Sequence, residues 1–432
     1  DVHGKRTEYE RPGVTATLVE RELLGSAERL STVSVTFELQ DVRKGVEYYK
    51  PGDHVAVWPR TSEAQGRFFA AHFGIEYTEF IEIVSLEDSF FSLKLAIDPA
   101  IPRRVSVADL FTKILDINAE PPAEMLASLA NYVDESECKQ MLEKLAREED
   151  FRREWLEQTG VCVRTIFEEF PTLSTIHNRD KAVGVRMLQD ILLQIPKLRA
   201  RFYSVSSAPD VCGNARFALT VGRLVYRSAD NARINLGFCS DFIATLPIGT
   251  NVTVELRPAP MFRMPKSNAR PIIMLCAGTG IAPFKGFVDQ LTARSEPGAE
   301  TWLIYGCRTR SNELYAQDMR LAEQSGHLTK YLVAYSREEG QLKTYVDAKI
   351  RQHADGIRRL VLNEDAHVYV CGDVRIETSV QTALTEIMGG PEAFRALERS
   401  NKYHLDIFGA FDVQKQNENK LANARKSLSM RE

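Results

Sequence analysis

No hydrophobic run in this sequence approaches the roughly 20 residues that a membrane-spanning helix needs, and the chain does not open on a signal peptide. We therefore predict no membrane span. The seven cysteines are an odd number without close pairs, so neither a disulfide framework nor a zinc site is indicated, and a cytoplasmic location is expected. The eight histidines show no metal-ligand spacing, and no metal site is predicted.

An excess of positive charge is also missing. Lysine and arginine total 55 against 59 aspartates and glutamates, a formal charge of -4, which argues against nucleic-acid binding. A chain of 432 residues is too long for one compact core, so two or three domains are expected. Because the first residue is Asp1 and not methionine, we expect a fragment of a longer protein.

Residues 1–61 predict the first part of an antiparallel β-barrel. β-Branched and aromatic residues are frequent in 14–21 and 32–39, and a Pro-Gly turn precedes a buried strand at 55–58. His54 follows that turn, where it either lines a pocket or is a solvated turn histidine.

Residues 62–198 predict a helical insertion that interrupts the barrel. Apolar residues recur at helical spacing in five segments, 65–73, 123–132, 135–147, 151–159 and 181–194. Two shorter helices are indicated, one by Val105, Ala108 and Phe111 and the other by Val163, Ile166 and Phe167. The charged residues between the apolar positions are expected to face solvent.

The barrel is predicted to resume over residues 199–264, with a long strand at 217–226, a helix at 241–245 and a closing strand at 252–256. The opening stretch of this part, Arg201-Phe202-Tyr203-Ser204, has strand composition. It offers a guanidinium for a phosphate, an aromatic ring for stacking and a hydroxyl group. The alternative is an ordinary strand with an exposed arginine and a core tyrosine.

Residues 265–409 alternate strand and helix patterns, with apolar strands at 271–276, 301–305, 329–334 and 367–370. This order predicts a doubly wound parallel sheet whose ligand crevice is formed by the loops that follow the strands. The fold class is therefore α/β combined with an all-β domain. Residues 410–432 are left as a C-terminal tail.

Two glycine-containing turns offer backbone amides to a phosphate. Gly237 precedes Phe238, Cys239 and Ser240 at the start of a helical pattern, where the amides and the helix dipole favour a pyrophosphate. The run Gly278-Thr279-Gly280 follows an apolar strand and is shorter than the dinucleotide fingerprint of three spaced glycines.

A basic and aromatic cluster follows the third parallel strand. It consists of Ser336, Arg337, Lys343 and Tyr345. Such a cluster suits the 2′-phosphate that distinguishes NADPH from NADH, and the alternative is a plain basic surface patch.

The order of these motifs resembles the ferredoxin–NADP reductase module of diflavin reductases, and the helical insertion is similar to their connecting domain. The C-terminal stretch 401–409, with Phe408 and a long extension, resembles nitric-oxide synthase. The alternative within enzymes is another diflavin reductase, such as NADPH–cytochrome reductase or sulfite reductase flavoprotein. A different class is a nucleotide-sensing module whose flavin chemistry has decayed.

The resemblance implies an antiparallel FAD-binding β-barrel with a helical connecting insertion, followed by a doubly wound parallel α/β NADP-binding domain and a regulatory tail. It implies FAD contacts from His54, Arg201, Tyr203, Ser204, Phe238, Cys239 and Ser240. The further cofactor contacts, mainly to NADPH, are expected from Arg21, Thr220, Gly222, Gly278, Thr279, Gly280, Arg308, Ser336, Arg337, Lys343 and Tyr345.

The resemblance also implies a catalytic group for hydride transfer from NADPH to FAD, made of Ser204, Cys371 and Asp406. Phe408 is expected to cover the flavin face that the nicotinamide must reach, so it has to move during turnover. FMN and haem are expected only in missing upstream domains. The FMN-binding domain of the parent chain is then the electron acceptor, and calmodulin is a candidate partner of the parent.

Overall fold

The computed structural model describes residues 13–27, 30–43, 45–82, 104–134, 136–174, 180–228, 234–265 and 269–409. Its strands, numbered in chain order, are β1 Val14–Ala27, β2 Leu30–Leu39, β3 His54–Val57, β4 Phe80–Glu82, β5 Arg104–Ser106, β6 Arg201–Ser204, β7 Arg216–Gly222, β8 Val225–Arg227, β9 Ile234–Leu236, β10 Asn251–Arg257, β11 Ile272–Ala277, β12 Thr301–Cys307, β13 Lys330–Tyr335, β14 His367–Asp373 and β15 Tyr403–Phe408.

The α-helices span Glu63–Ala71, Val107–Asp109, Ala123–Ala130, Ser136–Arg147, Glu149–Thr159, Ile166–Glu169, Pro171–Ser174, Lys181–Leu192, Pro209–Cys212, Phe238–Thr245, Ala282–Thr292, Ala316–Gln324, Val346–Gln352, Ala354–Arg358, Val374–Ile387 and Pro391–Arg399. Short π-helical turns lie at Leu110–Ile114 and Arg359–Asn363, and 3₁₀ turns at Gly278–Ile281 and Arg310–Asn312. None of the helices in the described ranges has both the length and the apolar character needed to cross a membrane.

The first lobe is an antiparallel barrel with the strand order β6-β3-β10-β1-β2-β7. A bridge between Val205 and Leu219 joins the end of β6 to β7, so the sheet closes on itself. Its interior is apolar, and the rings of Phe37 and Phe217 stack there with their centroids 5.6 Å apart. The predicted barrel is confirmed. Its predicted strand over 217–226 is wrong, because β7 ends at Gly222 and β8 pairs instead with β9 in a separate two-stranded sheet.

The insertion between β3 and β6 has a hydrophobic core of its own, in which Phe69 makes edge-to-face contacts with Phe111 and Phe167. The helical texture is as predicted, but Val105 lies on β5, which pairs with β4. The helix starts only at Val107 because the Ser106 hydroxyl accepts the backbone N–H of Asp109 at 3.0 Å and caps it.

The second lobe is a parallel sheet with the order β13-β12-β11-β14-β15, flanked by helices, which confirms the doubly wound fold. The central strands are buried on both faces, as in β11, where five of the six residues are buried. The strand β15 was not among the predicted strands. The helix Phe238–Thr245 also begins three residues earlier than predicted. The domain boundaries stay a prediction, and the tail 410–432 lies outside the described residues.

Candidate functional site

The Asp406 carboxylate accepts hydrogen bonds from three elements at the junction of the two lobes. Its Oδ2 accepts from the Ser204 hydroxyl at 2.6 Å and from the Cys371 thiol at 3.6 Å. Its Oδ1 lies 2.9 Å from Nε2 of His54. Two barrel strands and two parallel strands therefore meet around one carboxylate.

The strand registers explain why these four residues meet. In the barrel, His54 on β3 is paired with Ser204 on β6. In the parallel sheet, Cys371 on β14 is paired with Asp406 on β15. Each lobe thus brings two candidate site residues together by backbone pairing, and the contact between the lobes joins the two pairs.

Burial and hydrogen bonding set the charges in this group. Burial raises the pKa of Asp406, but the hydrogen bonds from His54, Ser204 and Cys371 outweigh it, so the pKa falls below 3.8. The hydrogen bond to Asp406 raises the pKa of His54 above 6.5, against the effect of burial. Burial raises the pKa of the Cys371 thiol well above 9.0, so Cys371 is a neutral donor. The Asp406 carboxylate is therefore ionised and fixed by hydrogen bonds. Such a carboxylate can stabilise a positive charge that develops next to it during a reaction.

Arg201 and Tyr203 lie on β6, next to Ser204. The Arg201 side chain is exposed, and its NH1 donates to the backbone carbonyl of Arg199 at 3.2 Å. Tyr203 packs partly against the barrel core and is within hydrogen-bonding reach of the Cys239 thiol. Burial raises the pKa of Cys239 to about 11, so this thiol is neutral as well. The exposed guanidinium of Arg201 and the half-buried ring of Tyr203 thus lie two residues apart on β6.

The helix Phe238–Thr245 begins at Gly237 without a side-chain cap, so its first backbone N–H groups are not used by a capping residue. A Cβ atom on Gly237 would lie 2.7 Å from both Leu224 Cβ and Ser240 Oγ, so a larger residue there would force these neighbours to shift. The Ser240 hydroxyl donates to the Gly237 carbonyl at 3.0 Å and accepts from the Leu224 N–H at 3.1 Å. Its contacts stabilise the turn that presents the amides.

The turn Gly278–Ile281 follows β11 and leads into the helix Ala282–Thr292. Gly278 has a φ of +57°, and an added Cβ would meet nothing within 4 Å, so the turn is open above it. At Gly280 a Cβ would lie 2.2 Å from the Cys371 carbonyl oxygen. At Gly222 of the barrel a Cβ would lie 3.0 Å from Cγ2 of Thr279. The turn therefore touches both the barrel and the strand that carries Cys371.

The loops after β12 and β13 adjoin each other. The Ser336 N–H donates to the Cys307 carbonyl at 3.0 Å, and the Arg337 N–H donates to the Arg308 carbonyl at 2.8 Å. Both arginine side chains are exposed. The Lys343 ammonium lies 5.1 Å from the ring centroid of Tyr345, whose side chain is exposed. The sequence-predicted basic and aromatic cluster thus lies at the carboxyl edge of the sheet.

Three predicted site residues, Arg21, Thr220 and Phe408, lie outside the groups of residues described above. The Arg21 guanidinium donates to the carbonyls of Ala244 and Leu246 at 3.0 and 2.8 Å, at the opposite end of the helix from Phe238. Its expected contact with a pyrophosphate gains no support from this position. Thr220 is buried and its hydroxyl lies 2.6 Å from the Tyr315 hydroxyl. Phe408 ends β15 with its side chain exposed, on the same strand face as Asp406.

The sequence reasoning did not connect His54 with the Asp406 group, and it did not identify Tyr315. His54 and Asp406 are 352 positions apart, and no local pattern signals such a contact. In the described part of the chain, no cluster of three or more histidine, cysteine or acidic side chains could hold a metal ion.

Comparisons with known proteins give two family matches. The model described as FAD binding domain matches residues 7–242, and the model described as oxidoreductase NAD-binding domain matches residues 274–382. Similar curated proteins include a nitric oxide synthase-like protein of Bombyx mori, 30% identical over 418 residues, which are 92% of this chain and 37% of that protein.

Two further relatives are nitric oxide synthases. An inducible nitric oxide synthase of Bos taurus is 32% identical over 85% of this chain and 32% of its own length. A nitric oxide synthase of Drosophila melanogaster is 29% identical over 88% of this chain and 29% of its own length. The chain thus spans about a third of the length of the curated relatives it matches.

Proposed function

The chain belongs to the family of FAD-binding domains joined to an oxidoreductase NAD-binding domain and is an NADPH-dependent reductase module of nitric-oxide-synthase type, and we propose that its chemistry is centred on Asp406. The observation that carries the proposal is the meeting of Ser204, Cys371 and His54 on that carboxylate. FAD and NADPH are the cofactors of this module.

The residues present fit both cofactors. For FAD, an exposed guanidinium at Arg201, a half-buried ring at Tyr203 and the uncapped helix start after Gly237 form a set of phosphate and ring contacts. For NADPH, the open turn at Gly278 lies at the carboxyl end of β11, where dinucleotides bind in parallel sheets. We propose that these residues hold the two cofactors, with Phe238, Cys239 and Ser240 in the first turn of the FAD helix.

When bound, the two cofactors supply hydride transfer from nicotinamide to flavin. The role of the protein is then alignment and electrostatics. Asp406 holds a negative charge that stabilises the positive charge developing on a nicotinamide ring. The Ser204 hydroxyl and the Cys371 thiol both donate to Oδ2, which ties that oxygen to β6 and β14. Ser204, Cys371 and Asp406 are proposed as the catalytic residues.

Phe408 is proposed as a mobile aromatic cover over the flavin. It follows Asp406 by two residues on the same face of an edge strand, and its side chain is exposed. A ring in that position shields the reacting edge and has to leave before a nicotinamide can stack there.

The cluster at the carboxyl edge of β12 and β13 is proposed to select NADPH. Arg337 and Lys343 bring positive charge, Ser336 brings a hydroxyl, and Tyr345 an exposed ring for the adenine side. Arg308 adjoins Arg337 through their backbones and is proposed to contact the same dinucleotide, as are Thr279 and Gly280. Thr220 and Gly222 are proposed to border the NADPH site from the barrel, and Arg21 to act on it only indirectly.

The activity of the whole parent protein is a further proposal. Electrons are proposed to pass from FAD to an FMN-binding domain of the same parent chain and then to haem, in nitric-oxide synthesis. Calmodulin as a partner of the parent, a cytoplasmic location, and a regulatory role for the tail 410–432 are proposed from the family resemblance of the sequence. The boundaries 1–61, 62–198, 199–264 and 265–409 are proposed for the barrel, connecting and NADPH-binding parts.

The test uses the purified chain reconstituted with FAD. It should be yellow, and anaerobic NADPH should bleach the flavin absorbance. Asp406→Asn should keep the FAD but slow the bleaching by about 10² or more, because the held charge is lost while the shape is preserved. Lack of FAD binding, or bleaching by Asp406→Asn at the rate of the unaltered chain, would overturn the proposal.

A further inference from the structure

We propose that His54 is the positioning residue of Asp406, and that the protonation state of its imidazole controls the rate of hydride transfer. This inference rests on the proposed function of the Asp406 group and extends it to a residue that acts through that carboxylate. The contact that motivates it is the 2.9 Å separation between His54 Nε2 and Asp406 Oδ1.

The geometry fixes how the contact works. Because Asp406 is ionised, both of its oxygens only accept, so Nε2 of His54 carries the hydrogen. Ser204 and Cys371 both donate to Oδ2, and His54 is the donor to Oδ1. Donors on both oxygens prevent rotation of the carboxylate about its own axis. Removal of His54 leaves Asp406 held by one oxygen, free to turn.

The backbone holds His54 firmly in place. It begins β3, where it is paired with Ser204 on one side and Arg257 on the other. The preceding turn is anchored as well, because the Asp53 carboxylate accepts the N–H groups of Lys50 and Ala259 at 2.8 and 2.7 Å. A histidine at this position therefore has few ways to move away from Asp406.

The charged groups around His54 leave Asp406 as its principal partner. Asp53 raises and Arg263 lowers the pKa of His54, but these two residues form an ion pair with each other. Arg257, the strand neighbour on β10, is paired with Glu255 at 2.8 Å. Cys371, on the far side of Asp406, is a neutral thiol.

A cationic His54 would cancel the negative charge of Asp406, whereas a neutral His54 keeps the hydrogen bond and leaves that charge uncompensated. The sign of the pH effect follows. As the pH rises through the elevated pKa of His54, the imidazole loses its proton. The His54–Asp406 pair then changes from net neutral to net negative. Hydride transfer is therefore faster above this pKa than below it.

The kinetic test measures flavin bleaching by NADPH in a stopped-flow instrument over a range of pH. The unaltered chain should show a rate that rises with pH. His54→Gln keeps an N–H donor near the Nε2 position but cannot take a proton, so its rate should stay within about twofold of the alkaline rate at every pH. His54→Ala should stay about tenfold below the alkaline rate of the unaltered chain at every pH, because the carboxylate is no longer fixed in one orientation. His327→Gln, at the opposite edge of the sheet before β13, is the matched control and should keep the normal profile.

A second readout does not depend on activity. NMR titration of the protein labelled at histidine should assign His54 through the signal lost in His54→Gln. Its pKa should lie above 6.5, and Asp406→Asn should lower it.

Two outcomes would overturn the inference. One is a pH profile in His54→Gln equal to that of the unaltered chain, and the other is a His54 pKa that Asp406→Asn does not change. If the unaltered chain bleaches normally, either result refutes the role of His54 and leaves the proposed function standing. A chain that does not bind FAD or does not bleach fails at the proposed function instead.

Discussion

Thr220 of the barrel and Tyr315 of the parallel-sheet lobe join the two lobes through their hydroxyl groups, whose oxygens lie 2.6 Å apart. Tyr315 has a φ of +56°, in the left-handed region, just before the helix Ala316–Gln324. Burial raises the pKa of Tyr315, so the phenol is neutral and can donate. Tyr315 thus adopts an unfavourable backbone conformation while its hydroxyl contacts Thr220 of the other lobe.

Removing this contact should destabilise the chain. Tyr315→Phe should lower the free energy of unfolding by about 1 kcal/mol, because the Thr220 hydroxyl loses a buried partner. Urea unfolding of Tyr315→Phe, Thr220→Val and the double variant forms a mutant cycle that gives the coupling energy. Tyr345→Phe, at an exposed tyrosine, is the control. A coupling energy near zero would show that the two hydroxyls do not stabilise the junction.

Arg337 should determine the preference for NADPH. Arg337→Ala should raise the KM for NADPH by about 10- to 100-fold, the contribution of a charged hydrogen bond, and should change the KM for NADH by less than about threefold. Arg395→Ala, on the helix Pro391–Arg399, is the control for loss of a surface arginine. Steady-state reduction of an artificial acceptor measures both KM values. Equal losses for the two nucleotides would remove Arg337 from the 2′-phosphate site.

Phe408 should limit access to the flavin. If the ring leaves the flavin open about one tenth of the time, Phe408→Ala should tighten binding of NADP⁺ by about tenfold, because the covering ring is gone. Leu405→Ala is a matched control, since Leu405 has the same exposed fraction of 42% on the same strand but lies on its opposite face. Isothermal titration of both variants gives the affinities. An unchanged affinity in Phe408→Ala would contradict a covering role.

A stacked histidine pair should make stability depend on pH. Nδ1 of His404 donates to the Met261 carbonyl at 2.7 Å, and Nδ1 of His367 lies 3.0 Å from Nε2 of His404. Burial lowers the pKa of His404 to about 4, with a smaller contribution from His367. Between pH 6.5 and 4 the unfolded chain therefore binds more protons than the folded chain, and stability falls as the pH falls.

The measurement is the thermal midpoint between pH 7 and 4.5. His404→Gln cannot titrate, so its midpoint should fall less on acidification than that of the unaltered chain, although it is lower at neutral pH. His54 adds a slope only in the upper part of this range, because well below pH 6.5 it is protonated in both the folded and the unfolded chain. Parallel curves for the two proteins would refute the role of His404.

The sequence allowed the fold to be predicted through its periodicity, and its motifs supplied the candidate site residues. It did not predict the strand β15, because Tyr403–Phe408 contains a histidine and an aspartate, and its pairing with β14 spans more than 30 residues of chain. The break after Gly222 was missed for a similar reason. Residues 217–226 are mostly strand formers on both sides of Gly222, and the two halves pair with different strands.

The connection of His54 to Asp406 depends on two registers and on the contact between the lobes, none of which has a local signal. The family resemblance implied that Arg21 faces the NADPH pyrophosphate. In the structure its guanidinium caps the carbonyl end of the helix Phe238–Thr245, which provides an alternative partner of opposite partial charge.

The carboxylate that unites the site belongs to β15, the last strand that the structure describes and one that lies at the edge of its sheet. On the ribosome, the segments that carry His54, Ser204 and Cys371 emerge before it. A product released before residue 403 would hold the barrel, the helical insertion and four of the five parallel strands, yet would lack Asp406. Truncated products of translation would thus retain the segments proposed to bind nucleotides without the carboxylate proposed to support the oxidation of NADPH.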